Sequence, residues 1–200
     1  MRRATAAASA AVLVASLGAT SAAGAADPPR MTQPVHVTNS PDEAPARSYS
    51  SPHMAIDPDD PRKVYAASVD VSTQRCHLLR SADGGRTWTK PDASPSPEGF
   101  PFCTHDSGFV PLAFVALGRD KTLYYFHLGW DAQDGGRAEN RSVFLARSAD
   151  EGESWTSAPV NVNRGKLDEA VEKNIATGLA VDTTTGDRDK VYVAYRASYP

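Results

Sequence analysis

The 200-residue sequence predicts an all-β fold built from repeated units, and three observations carry this prediction. The stretch "SADGGRTWT" (81–89) recurs as "SADEGESWT" (148–156), and "AID" (55–57) recurs as "AVD" (180–182). Short runs of strand-forming residues separated by turn residues dominate, whereas helical periodicity is nearly absent. Four strands in a repeat of about 60 residues fit a blade of a β-propeller. An all-β sandwich is the alternative, but it does not account for matched offsets.

The first 26 residues predict an export signal. They begin with a basic Met1-Arg2-Arg3, continue as an Ala-rich apolar run and end in small residues around Ala23 and Ala26. The apolar run is short for a membrane anchor. We therefore expect a secreted protein, located outside the cell or in the cell envelope.

The remainder, residues 27–200, predicts part of a propeller. "PVHV" in segment 33–38 matches "PVNV" after the second copy of the repeated turn, so it is expected to be a fourth strand that closes the ring. The other predicted elements are a first blade at 53–92, a second at 111–163 and the start of a third at 175–200. Since propellers usually have four to eight blades, we expect the N-terminal part of a longer protein.

The net charge of the chain limits the classes of binding partner that we expect. Without the signal, 19 basic residues stand against 24 acidic ones, a net charge of −5. Nucleic acids and anionic membranes favour basic patches, so neither is expected as a partner. An extracellular glycan or protein remains, and no cofactor or metal is predicted.

Cys76 and Cys103 are the only cysteines. An even number in an exported chain predicts a disulfide. It would contribute about 3–4 kcal/mol in the chain-entropy model. A metal or redox pair is the alternative, but the two residues lack CxxC spacing.

The repeated turn joins the third and fourth strands of a unit. Serine and aspartate suit acceptance of turn N–H groups, glycine suits a left-handed backbone, and tryptophan can pack between sheets. Gly84 is replaced by Glu151 in the second copy, which predicts that this position needs no positive φ. Among the positions that the two copies share are Ser81, Asp83, Gly85 and Trp88 in the first copy, and Ser148, Asp150, Gly152 and Trp155 in the second.

These positions form S-x-D-x-G-x-x-W, which resembles the Asp-box of sialidase-type (BNR repeat) β-propellers, including secreted bacterial exo-α-sialidase-like proteins. The resemblance spans roughly residues 33–200 and implies that the box is structural and lies opposite the active site. It also implies a retaining exo-glycosidase of extracellular glycans, with an arginine triad, a Tyr–Glu nucleophile pair and an Asp acid/base. Ser50 stands where the family's first arginine belongs. The alternative function is therefore a non-catalytic propeller that binds glycan, protein or cell wall.

Candidate site residues lie in the longer loops opposite the repeated turns. Asp70 falls roughly where the resemblance places the acid/base loop. His105 and Asp106 could form an acid/base or metal pair, and Asp131 and Arg137 could line a sugar site. Each of the five also fits an ordinary solvated loop. Trp130 could stack on a sugar ring or pack at the core.

Overall fold

The structure, a computed structural model, describes residues 49–103, 113–131, 141–160 and 175–196. These residues form three antiparallel sheets in an all-β arrangement. The predicted signal (1–26) and closing strand (33–38) lie outside the described residues. In the described part of the chain, we find no helix of the length and apolarity needed to cross a membrane.

The first sheet has the order β1-β2-β3, with β1 at Tyr49–Ile56, β2 at Val64–Asp70 and β3 at Arg75–Ser81. Strand β1 begins before the first blade that the sequence predicted at 53, and its register shifts between Ser50 and His53. The shift lies around a proline, which cannot donate to a ladder and is tolerated at an edge strand with a bulge.

The predicted fourth strand of the first sheet is nearly absent. A single bridge joins Arg80 to Thr89, with N–H···O distances of 2.9 and 2.8 Å in the two directions. Pro91 follows two residues later, and its missing N–H cannot extend the ladder.

The second sheet has all four predicted strands in the order β4-β5-β6-β7. They are β4 at Ala113–Leu117, β5 at Leu123–Trp130, β6 at Arg141–Ser148 and β7 at Thr156–Pro159. A short 3-10 turn, Arg119–Lys121, connects the first two. The third sheet contains β8 at Ile175–Asp182 and β9 at Lys190–Arg196.

The second sheet is buried on both faces, and β5 explains how. Successive side chains of a strand point to opposite faces. Leu123 and Tyr125 belong to the cluster shared with the first sheet, whereas Phe126 and Leu128 belong to the cluster shared with the third. Apolar residues therefore fill both faces of β5, and the sheets stack face to face.

The first strands of the three sheets run side by side, since β1 contacts β4 and β4 contacts β8. The first two sheets are meanders and the described part of the third is a hairpin, so successive turns alternate between two ends of the stack. We call the end with the repeated turns the turn face. The opposite end, with the β2–β3 turn and the start of β6, is called the loop face.

Polar contacts tie the three sheets together at the turn face. Lys121 Nζ of the second sheet donates to Asp57 Oδ1 of the first at 2.7 Å. Burial raises the pKa of Asp57, but the hydrogen bonds from Lys121 and from backbone N–H groups outweigh it and lower the pKa. Asp189 of the third sheet accepts bonds from Arg119 N at 3.1 Å and Tyr124 Oη at 2.9 Å.

Candidate functional site at the loop face

The repeated turns have the same internal hydrogen bonds. Ser81 Oγ accepts from Gly85 N at 2.8 Å and donates to Asp83 Oδ1 at 2.8 Å. Ser148 Oγ does the same with Gly152 N at 2.8 Å and Asp150 Oδ1 at 2.7 Å. Each serine therefore closes its turn from the last position of β3 or β6.

The two aspartates of these turns are acceptors of local donors. Asp83 takes bonds from the Thr87 hydroxyl at 2.7 Å and from the N–H groups of Thr87 and Arg86 at 2.9 Å. These bonds, led by that of the hydroxyl, hold the pKa of Asp83 well below its usual range. The corresponding bonds from Ser154 lower the pKa of Asp150 to about 2. A carboxylate held ionised in this way is a poor general acid.

The backbone of the turn differs from the sequence prediction at one position. Gly85 and Gly152 have φ of +86° and +91°, the left-handed backbone that glycine permits. Glu151, however, has φ of +58° and its counterpart Gly84 has +75°, so the prediction of no positive φ there is wrong. Contacts with the first sheet hold Glu151 in place: its carboxylate pairs with Lys63, and its carbonyl accepts from Arg80 at 3.3 Å.

The two tryptophans of the turns differ in their packing. Trp155 packs on the cluster between the first and second sheets, with its ring 5.8 Å from that of Tyr125 in an edge arrangement. Trp88 is half-buried and donates from Nε1 to Gly85 O at 2.9 Å. The repeated turn thus contributes to the packing of sheets through its second copy.

At the loop face, Asp70 is the last residue of β2 and is fully buried. Its Oδ1 accepts from Ser72 N at 2.9 Å and Thr73 N at 3.3 Å, which caps the turn into β3. Burial raises the pKa of Asp70, but bonds from Ser72 and Thr73 outweigh it and lower the pKa. The expectation of an exposed loop aspartate is therefore wrong here, and this carboxylate serves the turn.

Tyr49 pairs with Asp70 across the first sheet, and Ser50 pairs with Val69. The position at which the resemblance expects an arginine therefore lies next to the position at which it expects the acid/base. A serine occupies the first, and a buried turn acceptor occupies the second.

The predicted disulfide is present between Cys76 and Cys103, with a Cα–Cα distance of 5.5 Å. Cys103 N donates to Gln74 O at 2.7 Å, and the preceding Phe102 exchanges backbone hydrogen bonds with Trp130 at 3.3 and 2.7 Å. The connection between the first two sheets is thereby fixed to the turn at the end of β2 and to the end of β5. The disulfide and these hydrogen bonds thus connect three segments of the chain at the loop face.

Two aromatic rings belong to these connected segments. Trp130 is 8% exposed, which leaves little of its ring for stacking on a sugar, so the core interpretation fits better. The Arg75 guanidinium lies over the Phe102 ring, 5.4 Å from its centroid. A cation over an aromatic face is favourable by about 0.5–1 kcal/mol at an exposed site.

The sequence analysis did not single out one titratable residue that lies near the disulfide. His127, in the middle of β5, is fully buried, and its Nδ1 lies 3.5 Å from Cys103 Sγ and 2.8 Å from Leu128 O. Its ring stacks on Phe144 at 5.8 Å. Burial lowers the pKa of His127 to about 4, despite opposing bonds to backbone carbonyls. A histidine inside the apolar run "LYYFHLGW" is the sequence signal that could have drawn attention to it.

Of the remaining candidate site residues, the structure describes only Asp131. Asp131 follows Trp130 directly and is half-buried at the loop face. His105, Asp106 and Arg137 lie outside the described residues. The structure therefore brings Asp70, Asp131 and the disulfide to the same end of the stack.

Comparison with known proteins adds no family. No protein-family model matches the chain, and no curated protein matches it. A solved structure of a protein of unknown function from Dyadobacter fermentans DSM 18053 resembles it with a TM-score of 0.49 and 17% identity. The match covers 74% of this chain and 44% of that protein, so this chain spans less than half of its length. A likeness this weak carries no argument.

Proposed function

We propose that the chain is part of a secreted, sialidase-type β-propeller whose loop face binds an extracellular glycan without hydrolysing it. The propeller type is supported by two repeated Asp-box turns at one end of adjacent sheets. It is supported further by the side-by-side first strands, as expected where blades surround an axis. Export is supported by the basic and apolar pattern of residues 1–26.

The state of Asp70 carries the proposal of binding without hydrolysis. A glycosidase acid needs a protonated carboxyl that reaches the substrate. Asp70 is instead buried, accepts hydrogen bonds from the following turn and has a lowered pKa. Its neighbour on β1 is Ser50, which cannot form the forked contact of an arginine with a carboxylate.

The connections at the loop face support binding. The disulfide, the Cys103–Gln74 bond and the paired Phe102 and Trp130 hold these residues together, so they lose little conformational entropy when a ligand docks. Arg75 is exposed and Asp131 is half-exposed, so both can meet the hydroxyls of a sugar. Because Ser50 replaces the arginine and the exported chain carries a net charge of −5, we favour an uncharged glycan over an acidic one.

The test uses the full chain on an array of neutral and sialylated glycans, together with release of a fluorogenic aglycone from a sialoside. We expect binding to neutral glycans and no release. The double variant Arg75→Ala/Asp131→Ala should weaken binding. Arg62→Ala, an exposed change at the turn face, is the matched control and should bind as the parent does.

Two results would overturn the proposal. Loss of glycan binding with Arg62→Ala, but not with the loop-face variant, would place the ligand at the other end of the stack. Turnover of the sialoside would favour the second candidate, an exo-sialidase, which is the activity that the resemblance to sialidase-type propellers implies.

A further inference from the structure

The buried surroundings of the disulfide contain a third metal-binding side chain. The two sulfurs of Cys76 and Cys103 and one ring nitrogen of His127 all lie within 4.8 Å of one another. The exposed fractions of these residues are 1%, 1% and 0%. We propose that reduction of the disulfide converts this cluster into a binding site for a thiophilic divalent cation of the zinc type, with Cys2His ligation.

The ligand chemistry fits such an ion. Thiolate sulfur and neutral imidazole nitrogen are the preferred ligands of Zn²⁺. His127 is fully buried, and its Nδ1 lies 3.5 Å from Cys103 Sγ, within reach of an ion bound to the sulfurs. The Nδ1 that lies 3.5 Å from Cys103 Sγ also lies 2.8 Å from Leu128 O, so binding of the ion through Nδ1 requires release of that contact and of its proton.

The geometry fits as well. Two sulfurs bound to one tetrahedral zinc at about 2.3 Å lie about 3.8 Å apart. The Cα atoms of Cys76 and Cys103 are already 5.5 Å apart, so side-chain rotation can separate the sulfurs by this amount without moving β3 away from the connection. Ser96 Oγ lies 3.3 Å from Cys103 Sγ, where it can donate a hydrogen bond to a thiolate. Three protein ligands fill three of the four tetrahedral positions of a zinc-type ion.

A thiol is the reductant of the disulfide. Two thiol molecules reduce the Cys76–Cys103 bond to two cysteine thiols and are themselves joined as a disulfide. The cation then displaces one proton from each cysteine, and both protons pass to solvent. In the oxidised protein each sulfur is bound to the other, so thiolate ligation is unavailable. The cluster therefore holds either a disulfide or a metal ion.

Co²⁺ titration of the full chain tests the proposal, with and without prior reduction and removal of the reductant. The reduced protein should bind one equivalent and develop sulfur-to-cobalt charge-transfer absorption, which one equivalent of Zn²⁺ abolishes. The oxidised protein should develop none. His127→Gln should weaken Zn²⁺ binding by more than the roughly 10- to 100-fold that loss of a supporting contact costs in other sites. His53→Gln, a change at a histidine of β1 outside the cluster, should leave it unchanged.

Several results would contradict the proposed metal site. Absence of charge-transfer absorption in the reduced protein would overturn the proposal, and so would equal Zn²⁺ affinity of the parent and His127→Gln. If reduction unfolds the chain, recovery of the native circular dichroism on addition of Zn²⁺ supports the site, and failure to recover refutes it. The outcome is independent of the glycan experiment, which uses the oxidised protein.

Discussion

Gly152 and Gly85 occupy the same position of the two repeated turns but differ in what surrounds them. Their φ angles are +91° and +86°, so an alanine at either position meets the same backbone restriction. A Cβ at Gly152 would lie 2.4 Å from Leu78 Cδ2 of the first sheet, whereas a Cβ at Gly85 would meet only Trp88 at 3.6 Å. Comparison of an alanine substitution at each glycine therefore distinguishes the cost of backbone strain from the cost of the packing clash.

The expected magnitudes follow from these contacts. Left-handed backbone costs a non-glycine residue about 1–2 kcal/mol. Gly85→Ala should lower the free energy of unfolding by this amount alone. Gly152→Ala should add about 1–3 kcal/mol for overpacking, because Leu78 is 2% exposed and cannot move into solvent.

Urea unfolding of both variants, followed by circular dichroism, measures the difference. A double variant tests its cause, since Leu78→Ala removes the atom that the new Cβ would meet. In the Leu78→Ala background, Gly152→Ala should cost only as much as Gly85→Ala does in the parent. Equal losses for the two single variants, or additive losses in the double variant, would refute the contact as the cause.

Three further predictions concern the covalent brace and the buried charges. Replacing Cys76 and Cys103 by serine should lower the free energy of unfolding by about 3–4 kcal/mol in urea, because 27 positions separate the cysteines; a loss below about 1 kcal/mol would contradict this. The pKa of His127 is lowered to about 4 in the folded state, so stability is full above pH 6.5 and falls by about 3 kcal/mol as the pH drops to 4. His127→Gln should remove this dependence in urea titrations at the two pH values. Lys121→Met should move acid unfolding, followed by tryptophan fluorescence, to higher pH, because Asp57 loses a donor that lowers its pKa; an unchanged midpoint would contradict this.

The strands could be predicted from the sequence because their signals are local. The continuous apolar run in "TLYYFHL" and the Gly/Asp turn residues on either side of it predict β5 from the local sequence alone. The fourth strand of the first sheet was predicted by analogy with β7, but Pro91 shortens it to one bridge at Thr89. Comparison of the two copies of the repeat therefore predicted a fourth strand, but it did not predict that a proline at position 91 would shorten that strand.

Conformation and burial at single positions could not be predicted because they depend on partners distant in the sequence. Glu151 tolerates positive φ next to contacts with Lys63 and Arg80, which are 88 and 71 residues away. Asp70 is fully buried at the end of β2, where it pairs with Tyr49 of β1, although a loop aspartate usually faces solvent. Comparison of repeats identifies which residue types a position accepts, but not the contacts that make them acceptable.

Turn aspartates recur in all three sheets and at both ends of the stack. Asp57 and Asp182 cap the first turns of their sheets with bonds of 2.9 and 2.8 Å to the N–H two residues on, and Asp70 caps a turn at the loop face in the same way. The same chemistry that suits a carboxylate for acid/base catalysis is thus used repeatedly to satisfy turn N–H groups. An aspartate that follows a strand in this chain therefore indicates a turn before it indicates a catalytic residue. A catalytic aspartate would need a carboxyl group that these hydrogen bonds leave accessible to a substrate.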